Sequence, residues 1–410
     1  MNVLEVYFQW VLFLKLFMLS VVSVALGDQH SLILKKDGSV WSTSLNFCEE
    51  FPSAASSKRF VQVIPSGVTA MAAGTCYSMV IKQDGSVWAV GRNSKGQLGD
   101  GTKSKKKAFF FVQVITGAKA IAAGGCHNLI VTKQGRVWAA GWNKYGQLGD
   151  GLLTYKSRFF ATIPGGAAAV AAGDSHSLVL RQDGSLLVAG RNCKGQLGDG
   201  SETDRSYYVK VMSDGVADMA AGGQHSIVVK KDGSLWATGS NEYGQLGDGA
   251  TSSYRTDYVQ VVSSGIKAVA AGSRHTMMLT QDGNVWATGY NKYGQLGDEW
   301  TTSSKVFVQV IFDGRVKSVA AGGFHSMVLK QDGSIWATGS NVAGQFGDGS
   351  TTSEKTFVRL APFANGLRHN YVSSFAMTPQ LLKHAGSYFA RPASFLMWQP
   401  VCFHLRVFTF

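Results

Sequence analysis

The stretch AAGSRHTMMLTQDGNVWATGYNKYGQLG, residues 270–297, recurs with small changes along most of the chain. Its closing GQLGD element, which reads GQFGD in the last copy, returns every 49 or 50 residues. These elements begin at Gly96, Gly146, Gly195, Gly244, Gly294 and Gly344. A period this regular indicates an array of similar units that bury their apolar side chains against one another.

Each unit is predicted to form β-strands. In residues 176–190, HSLVLRQDGSLLVAG, two apolar runs flank Asp183-Gly184, and an Asp-Gly pair in that setting is a strong hairpin signal. The runs are continuously apolar, as expected where both faces of a sheet are covered. A VAAG run and an FVQV-like run, such as residues 258–261, accompany each hairpin. The sequence therefore predicts four short strands per period.

The number of these runs predicts how the chain closes on itself. Seven hairpins are present, but an FVQV-like run precedes only the last six, and a further one, residues 357–360, follows the seventh. Pairing the two ends would leave no long sheet edge exposed. We therefore predict an all-β fold, a seven-bladed β-propeller of four-stranded blades, closed by pairing of the N- and C-terminal strands. The alternative, an open solenoid, needs capping repeats that we do not find.

Composition agrees with a propeller and narrows the class of partner. With 49 glycines, 45% apolar and 16% charged residues among 410, the chain suits short strands joined by glycine turns, and disorder is excluded. Of the net charge of +13, residues 103–107 supply +4 and residues 355–410 supply +6, which leaves +3 for the body. Since nucleic-acid-binding proteins usually present a basic stripe, nucleic acid is a possible but not a favoured partner.

A histidine recurs in nearly every unit, three residues after the AAG glycine, and invites a catalytic or metal-binding interpretation. Catalysis needs one set of groups converging on one substrate, whereas these residues occur once per unit, and Tyr77 replaces one of them. We interpret them as ring N–H groups that tie down a tight turn, and the recurring tryptophan as packing between blades. The five cysteines contain no CxxC pair. We therefore predict no catalytic residue, metal or cofactor.

Candidate binding residues lie where the units differ, namely the pair before each histidine and the residues around each repeated asparagine. Turns at equivalent positions of a propeller gather on one face, where aromatic and basic side chains favour partner binding. Ordinary turn residues are the alternative interpretation. The candidates are Trp142, Tyr145, Gln224, Tyr243, Arg274, Tyr290, Tyr293 and Phe324.

One loop is a separate basic candidate. Lys103, Lys105, Lys106 and Lys107 lie within TKSKKKAFFF, and they form a local cluster next to aromatic residues. Such a loop would contact acidic protein, phosphate or nucleic acid, or would simply be solvated. A run of lysines without arginine gives charge but little shaped recognition.

Units of the form AAGxxHSxxLxxDGxVWATGxNxxGQLGDG resemble the repeat of the regulator of chromosome condensation family. The resemblance covers residues 27–360 and implies a seven-bladed propeller. It also implies two activities, guanine-nucleotide exchange on a small GTPase and chromatin binding. Exchange in this family is similar to wedging the nucleotide site open with a projecting element, and no long insertion is present here. The first unit departs from the pattern after Trp41.

The two ends lie outside the repeat. We predict three segments: residues 1–26 as a hydrophobic N-terminal segment, 27–360 as the propeller, and 361–410 as a basic, aromatic tail with prolines. Residues 6–26 are long enough to span a bilayer but contain Lys15. They are interpreted as a signal or membrane anchor, or as a strand-forming extension of the first blade.

We expect a monomeric, non-enzymatic scaffold that presents a propeller face to a protein partner. Its expected compartment is the cytoplasm or nucleus, with a membrane-anchored or secretory location as the alternative. Action on a small GTPase and association with chromatin remain the alternative functions.

Overall fold

A computed structural model describes residues 20–44, 57–103 and 108–360, and for residues 44 and 108–112 only the backbone. All regular structure in these ranges is β-strand, arranged in seven four-stranded antiparallel sheets. The predicted all-β propeller of seven blades is confirmed. The predicted lysine loop at residues 104–107 and the tail at 361–410 lie outside the described residues.

The strands of the first four blades follow one another in chain order. Blade 1 comprises β1 (Val21–Leu26), β2 (Ser31–Lys35), β3 (Val40–Ser44) and β4 (Ser57–Ile64). Blade 2 comprises β5 (Val68–Ala73), β6 (Tyr77–Lys82), β7 (Val87–Gly91) and β8 (Ala108–Ile115). Blade 3 comprises β9 (Ala118–Ala123), β10 (His127–Thr132), β11 (Val137–Gly141) and β12 (Lys156–Ile163). Blade 4 comprises β13 (Ala167–Ala172), β14 (His176–Arg181), β15 (Leu186–Gly190) and β16 (Arg205–Met212).

The last three blades repeat the same order. Blade 5 comprises β17 (Val216–Ala221), β18 (His225–Lys230), β19 (Leu235–Ser240) and β20 (Tyr254–Val262). Blade 6 comprises β21 (Ile266–Ala271), β22 (His275–Thr280), β23 (Val285–Gly289) and β24 (Ser304–Ile311). Blade 7 comprises β25 (Val316–Ala321), β26 (His325–Lys330), β27 (Ile335–Gly339) and β28 (Glu354–Arg359).

The predicted shared closing blade is corrected by the strand pairing. β28 pairs with β27 and β1 pairs with β2, so among the described strands no ladder joins the two ends of the chain. The reason is that each FVQV-like run is the fourth strand of the preceding blade rather than a leader of the following hairpin. Seven hairpins therefore have seven fourth strands, and the first blade is complete without a strand from beyond the seventh.

The ring closes through side-chain packing and a few hydrogen bonds between blades 7 and 1. Val21 and Ile33 of blade 1 share one apolar cluster with Met327 and Leu329 of blade 7. The Gly323 N–H donates to the Gly27 carbonyl at 3.2 Å, as equivalent glycines do between other blades. Closure therefore uses the same kind of interface as the rest of the ring.

The propeller begins earlier than the repeat motif indicated. β1, residues Val21–Leu26, is the first strand of blade 1 and pairs with β2 along its length. The boundary at residue 27 is thus six residues too late, because VVSVAL replaces the usual alanine-rich first strand. Residues 6–19 lie outside the described residues. No helix in the described part of the chain is long and apolar enough to cross a membrane.

The apolar core is divided among clusters that join neighbouring blades. Trp236 of blade 5, for example, packs against an apolar cluster that combines Leu178 and Leu186 of blade 4 with Val228 of blade 5, as predicted for the recurring tryptophan. It is only half-buried, however, and the equivalent Trp138, Trp286 and Trp336 line outer grooves between blades. Trp236 Nε1 donates to Ser234 at 2.9 Å, and Lys230 Nζ lies 4.1 Å from the Trp236 ring centroid.

Candidate functional site

The recurring histidines form a buried ring of contacts around the axis, which we name the histidine belt. It consists of His30, Tyr77, His127, His176, His225, His275 and His325. His176 Nε2 lies 2.9 Å from the hydroxyl of Ser226 in the next blade, and that hydroxyl donates to the Gln196 carbonyl at 2.6 Å. Since the hydroxyl hydrogen is used there, the hydroxyl accepts its second bond from His176. Nε2 therefore carries the ring hydrogen.

The same arrangement continues around the ring and closes it. His325 Nε2 lies 3.0 Å from Ser31 Oγ, which connects blade 7 to blade 1. In blade 2 the Tyr77 hydroxyl lies 2.8 Å from the His127 carbonyl of blade 3. The prediction that each ring N–H ties down a tight turn is corrected, since the bond is made to a strand residue of the following blade.

The belt is unsuited to acid–base catalysis. Burial lowers the pKa of each belt histidine well below its ordinary value, to about 4 for His176 and about 3 for His225. A neutral ring whose N–H is already bonded to a neighbouring blade holds structure and transfers no proton.

Five predicted candidates lie together on one face, at the turns between first and second strands and between third and fourth strands. We name them the aromatic cluster: Tyr243, Arg274, Tyr290, Tyr293 and Phe324. Tyr290 touches three rings, with centroid separations of 4.8 Å to Tyr243, 6.3 Å to Tyr293 and 5.9 Å to Phe324. Arg274 Nη1 donates to the Tyr243 hydroxyl at 3.1 Å. Blades 5, 6 and 7 thus supply one continuous surface.

The other three candidates are not part of that cluster. Trp142 and Tyr145 contact each other with a centroid separation of 5.6 Å, and the Arg191 guanidinium lies 5.0 Å from the Tyr145 ring. Gln224 is half-buried in the turn between β17 and β18, where its carbonyl accepts a bond from Ser240 at 2.8 Å. None of the contacts with aromatic rings among the described residues involves Gln224.

Basic residues at the same turns were missed by the sequence reasoning. Arg191 and its equivalent Arg92 directly precede the repeated asparagine, the position that Trp142 and Tyr290 occupy in other blades. Considering every residue at that position, rather than the aromatic ones alone, would have found them. At the variable positions of these turns, namely the pair before each belt residue and the residue before and the two residues after each repeated asparagine, the described residues include seven basic side chains and three acidic ones, Asp28, Asp174 and Glu242. The basic ones are Arg92, Lys95, Lys144, Arg191, Lys194, Arg274 and Lys292. The rest of the third-to-fourth connections carries further carboxylates, such as Asp204 and Glu299.

Two acidic residues lie at the axis. Asp28 and Asp174 line one end of an axial cavity of about 60 Å³, which is room for a few water molecules. Burial among the converging strands, and then the charge of Asp28, raise the pKa of Asp174 to about 6, while Arg191 and Arg274 oppose the rise. Among the described residues, no group of three or more His, Cys, Asp or Glu is arranged to hold a metal ion.

Of the predicted lysine loop, only Lys103 is described. Its Nζ lies 5.4 Å from the Tyr155 ring centroid, and Lys95 Nζ lies 5.2 Å from the same ring. Lys105, Lys106 and Lys107 lie outside the described residues, so the loop stays a prediction.

Family comparisons agree with the repeat and the ring. The sequence model of the RCC1-like domain matches residues 11–263, and models of the regulator of chromosome condensation (RCC1) repeat match residues 266–295, 316–345 and 282–329. This chain belongs to the RCC1-like domain family. Among curated protein sequences, none matches it.

Solved structures share the RCC1-like fold at low sequence identity. Human WBSCR16 is 23% identical over 76% of this chain and 87% of its own, with a TM-score of 0.66. A chain in the crystal structure of Kap60 bound to yeast RCC1 (Prp20) is 19% identical over 83% and 86%, with a TM-score of 0.72. Prp20p from Saccharomyces cerevisiae, reported with its binding properties to Gsp1p and histones, is 20% identical over 74% and 80%, with a TM-score of 0.64.

Proposed function

We propose that this RCC1-like propeller is a non-enzymatic binding module whose aromatic cluster docks an acidic surface of a protein partner. The observation that carries the proposal is the contact of Tyr243, Tyr290, Tyr293 and Phe324 beneath an exposed arginine. Tyrosine and arginine are enriched among the residues that dominate binding energy at protein interfaces.

The cluster is held in place before any partner arrives. Tyr290 packs edge-on against its neighbours, and its N–H donates to the Arg274 carbonyl at 2.9 Å. The Arg274 guanidinium lies 5.1 Å from the Tyr243 ring centroid, so its orientation is restrained as well. Side chains already fixed lose little conformational entropy on binding, which favours affinity.

Charge favours an acidic partner surface. The excess of basic over acidic side chains at the variable positions of these turns attracts negative charge and accelerates encounter. The carboxylates of Asp28 and Asp174 lie on the axis, among these basic residues. A partner whose acidic groups avoid the axis therefore gains the most electrostatic attraction.

Replacing Arg274, Tyr290 and Phe324 together with alanine is expected to lower partner recovery at least tenfold. The matched control replaces Asp214, Lys231 and the exposed Phe312, which lie in turns at the opposite end of the blades. Partner recovery is measured for both triple variants by cross-linking and mass spectrometry, after circular dichroism has shown that each variant is folded. Equal loss in the two variants, or no loss in the first, would contradict the proposed face.

Nucleotide exchange on a small GTPase is the second candidate. It is favoured by the similarity to Prp20p, whose structure was reported with binding to Gsp1p. Against it, the described connections from third to fourth strands, such as residues 142–155 and 290–303, contain no inserted strand pair to act as a wedge.

Release of a fluorescent guanine nucleotide from a panel of small GTPases separates the two candidates. The docking proposal expects the release rate to stay at its spontaneous value at every propeller concentration. If release accelerates with propeller concentration, and the acceleration disappears in the Arg274, Tyr290 and Phe324 variant, the protein is an exchange factor that acts through the same face. That result would contradict the docking proposal.

A further inference from the structure

The outer groove between blades 2 and 3 differs from the other grooves of the ring. It encloses about 510 Å³, and its polar lining includes Gln113, Gln134, Arg136, Trp138 and Arg158. This volume is in the range of small-ligand sites. It lies at the outer side of the blades, away from the aromatic cluster.

The hairpin turn of blade 3 has a reversed charge. In other blades the turn reads Asp-Gly-Ser or Asp-Gly-Asn, and in blade 5 Asp232 accepts bonds from both the N–H and the hydroxyl of Ser234. In blade 3 the same positions hold Gln134 and Arg136, and the Arg136 N–H is 3.2 Å from Thr132 Oγ1 instead. Compared with the other blades, the blade 3 turn therefore lacks a carboxylate and has an additional guanidinium, that of Arg136, at the end of the groove.

That exchange leaves the tryptophan of blade 3 without its usual acceptor. The indole N–H of Trp88 donates to Ser86 at 2.8 Å, and that of Trp336 donates to Ser334 at 3.0 Å. Trp138 Nε1 is buried and has no hydrogen-bond partner among the described residues. A buried donor whose hydrogen bond is unmade destabilises the folded chain, and an acceptor atom within reach would remove that cost.

The groove between blades 6 and 7 provides an internal comparison. It is lined by Asp298, Glu299 and Asp313, and its Lys330 is already paired with Asp313 at 2.5 Å. Lys330 also covers Trp336, whereas Thr132 occupies the equivalent position beside Trp138. Pseudo-symmetric grooves of one fold therefore carry opposite charge.

One carboxylate does line the blade 2–3 groove. Asp100 Oδ1 accepts bonds from Asn93 Nδ2 at 3.0 Å and from the Thr102 N–H at 2.9 Å. Because these donors occupy it, Asp100 acts mainly in its own loop. These neutral donors do not remove the negative charge of Asp100, but the two arginines outnumber it, so the groove lining is net positive.

We propose that the blade 2–3 groove binds a phosphate monoester between Arg136 and Arg158. The guanidinium fork matches a phosphate with paired N–H···O bonds, and the dianion matches two positive charges. The amides of Gln113 and Gln134 are further donors within the lining. The ester comes either from a small phosphorylated compound or from a phosphorylated serine of a peptide, since both present the same group.

Calorimetric titration of the full chain with inorganic phosphate, phenyl phosphate and a phosphoserine tripeptide tests the proposal. The decisive variant is Gln134→Asp with Arg136→Ser, because it restores the turn of the other blades and an acceptor for Trp138. It is expected to fold at least as well as the natural chain and to bind each probe at least tenfold more weakly. Arg158→Gln is expected to weaken binding independently. The ester with the lower Kd identifies the source: phenyl phosphate would indicate a small phosphorylated compound, and the tripeptide would indicate a phosphorylated peptide.

The control is Arg181→Ser, which removes an arginine near the hairpin of blade 4, outside the groove, and should leave the affinities unchanged. Equal affinity in the Gln134→Asp, Arg136→Ser variant and the natural chain would overturn the proposal. So would the absence of binding heat up to about 10 mM probe, where a site of millimolar Kd is filled. The Arg274, Tyr290 and Phe324 variant should bind phosphate normally, which separates this site from the docking face.

Discussion

Gly222→Ala is expected to destabilise the propeller by about 4 kcal/mol or more, because overpacking and a broken buried hydrogen bond add together. A methyl group on Gly222 would lie 2.2 Å from His225 Cε1 and 2.6 Å from the Gly272 carbonyl of the next blade. Neither neighbour has room to move, since His225 is fully buried and bonded to Thr276 at 2.9 Å. Urea unfolding followed by circular dichroism measures the loss.

The matched control is Gly265→Ala, in the turn before β21. Gly265 has a φ of +85°, and a methyl group there meets nothing within 4 Å. Its substitution therefore carries only the backbone strain of a left-handed residue, about 1–2 kcal/mol. Similar losses for the two variants would show that close approach at the belt is not what requires glycine at position 222.

The second large effect is a loss of stability as the pH falls from 7 towards 5. The six belt histidines have folded pKa values of about 3 to 4, below the ordinary 6.5, because burial disfavours the charged ring. Between those values the unfolded chain binds more protons than the folded one, so stability is present above pH 6.5 and is lost below it. One pH unit below 6.5, each histidine contributes a loss of about 1.4 kcal/mol.

Six such losses are comparable with the whole stability of a typical domain, about 5–15 kcal/mol, so unfolding by about pH 5 is expected. Burial raises the pKa of Asp174 to about 6 and also raises the pKa values of Asp28 and Asp218, so these carboxyls act in the opposite direction, but they are three groups against six. The unfolding free energy measured from pH 7.5 to 5 checks the slope. His176→Tyr, which copies the natural Tyr77, should reduce that slope by up to one proton. A flat profile would contradict the neutral belt.

Parts of the functional surface were predictable from the residues themselves. Arg274, Tyr290 and Phe324 were found because they vary where the repeat is otherwise constant. Their mutual contact was not predictable, since it depends on how blades 6 and 7 are rotated against each other. Arg191 was missed because only the aromatic residues before the repeated asparagine were considered, whereas Asp174 gains significance only beside Asp28, Arg191 and Arg274 in the folded chain.

The sequence by itself determined the strands, the number of blades and the absence of helices in the described ranges, because strand periodicity and Asp-Gly turns are local signals repeated seven times. Only the tertiary structure decided which hairpin each FVQV-like strand joins. Such a strand lies between two hairpins along the chain. A repeat of constant period is equally consistent with a strand that begins the following unit and with one that ends the preceding unit. The hydrogen bonds of β4 to β3 and of β28 to β27 remove that ambiguity. Likewise, the partner of each belt histidine is fixed only by the neighbouring blade, about 50 residues away along the chain.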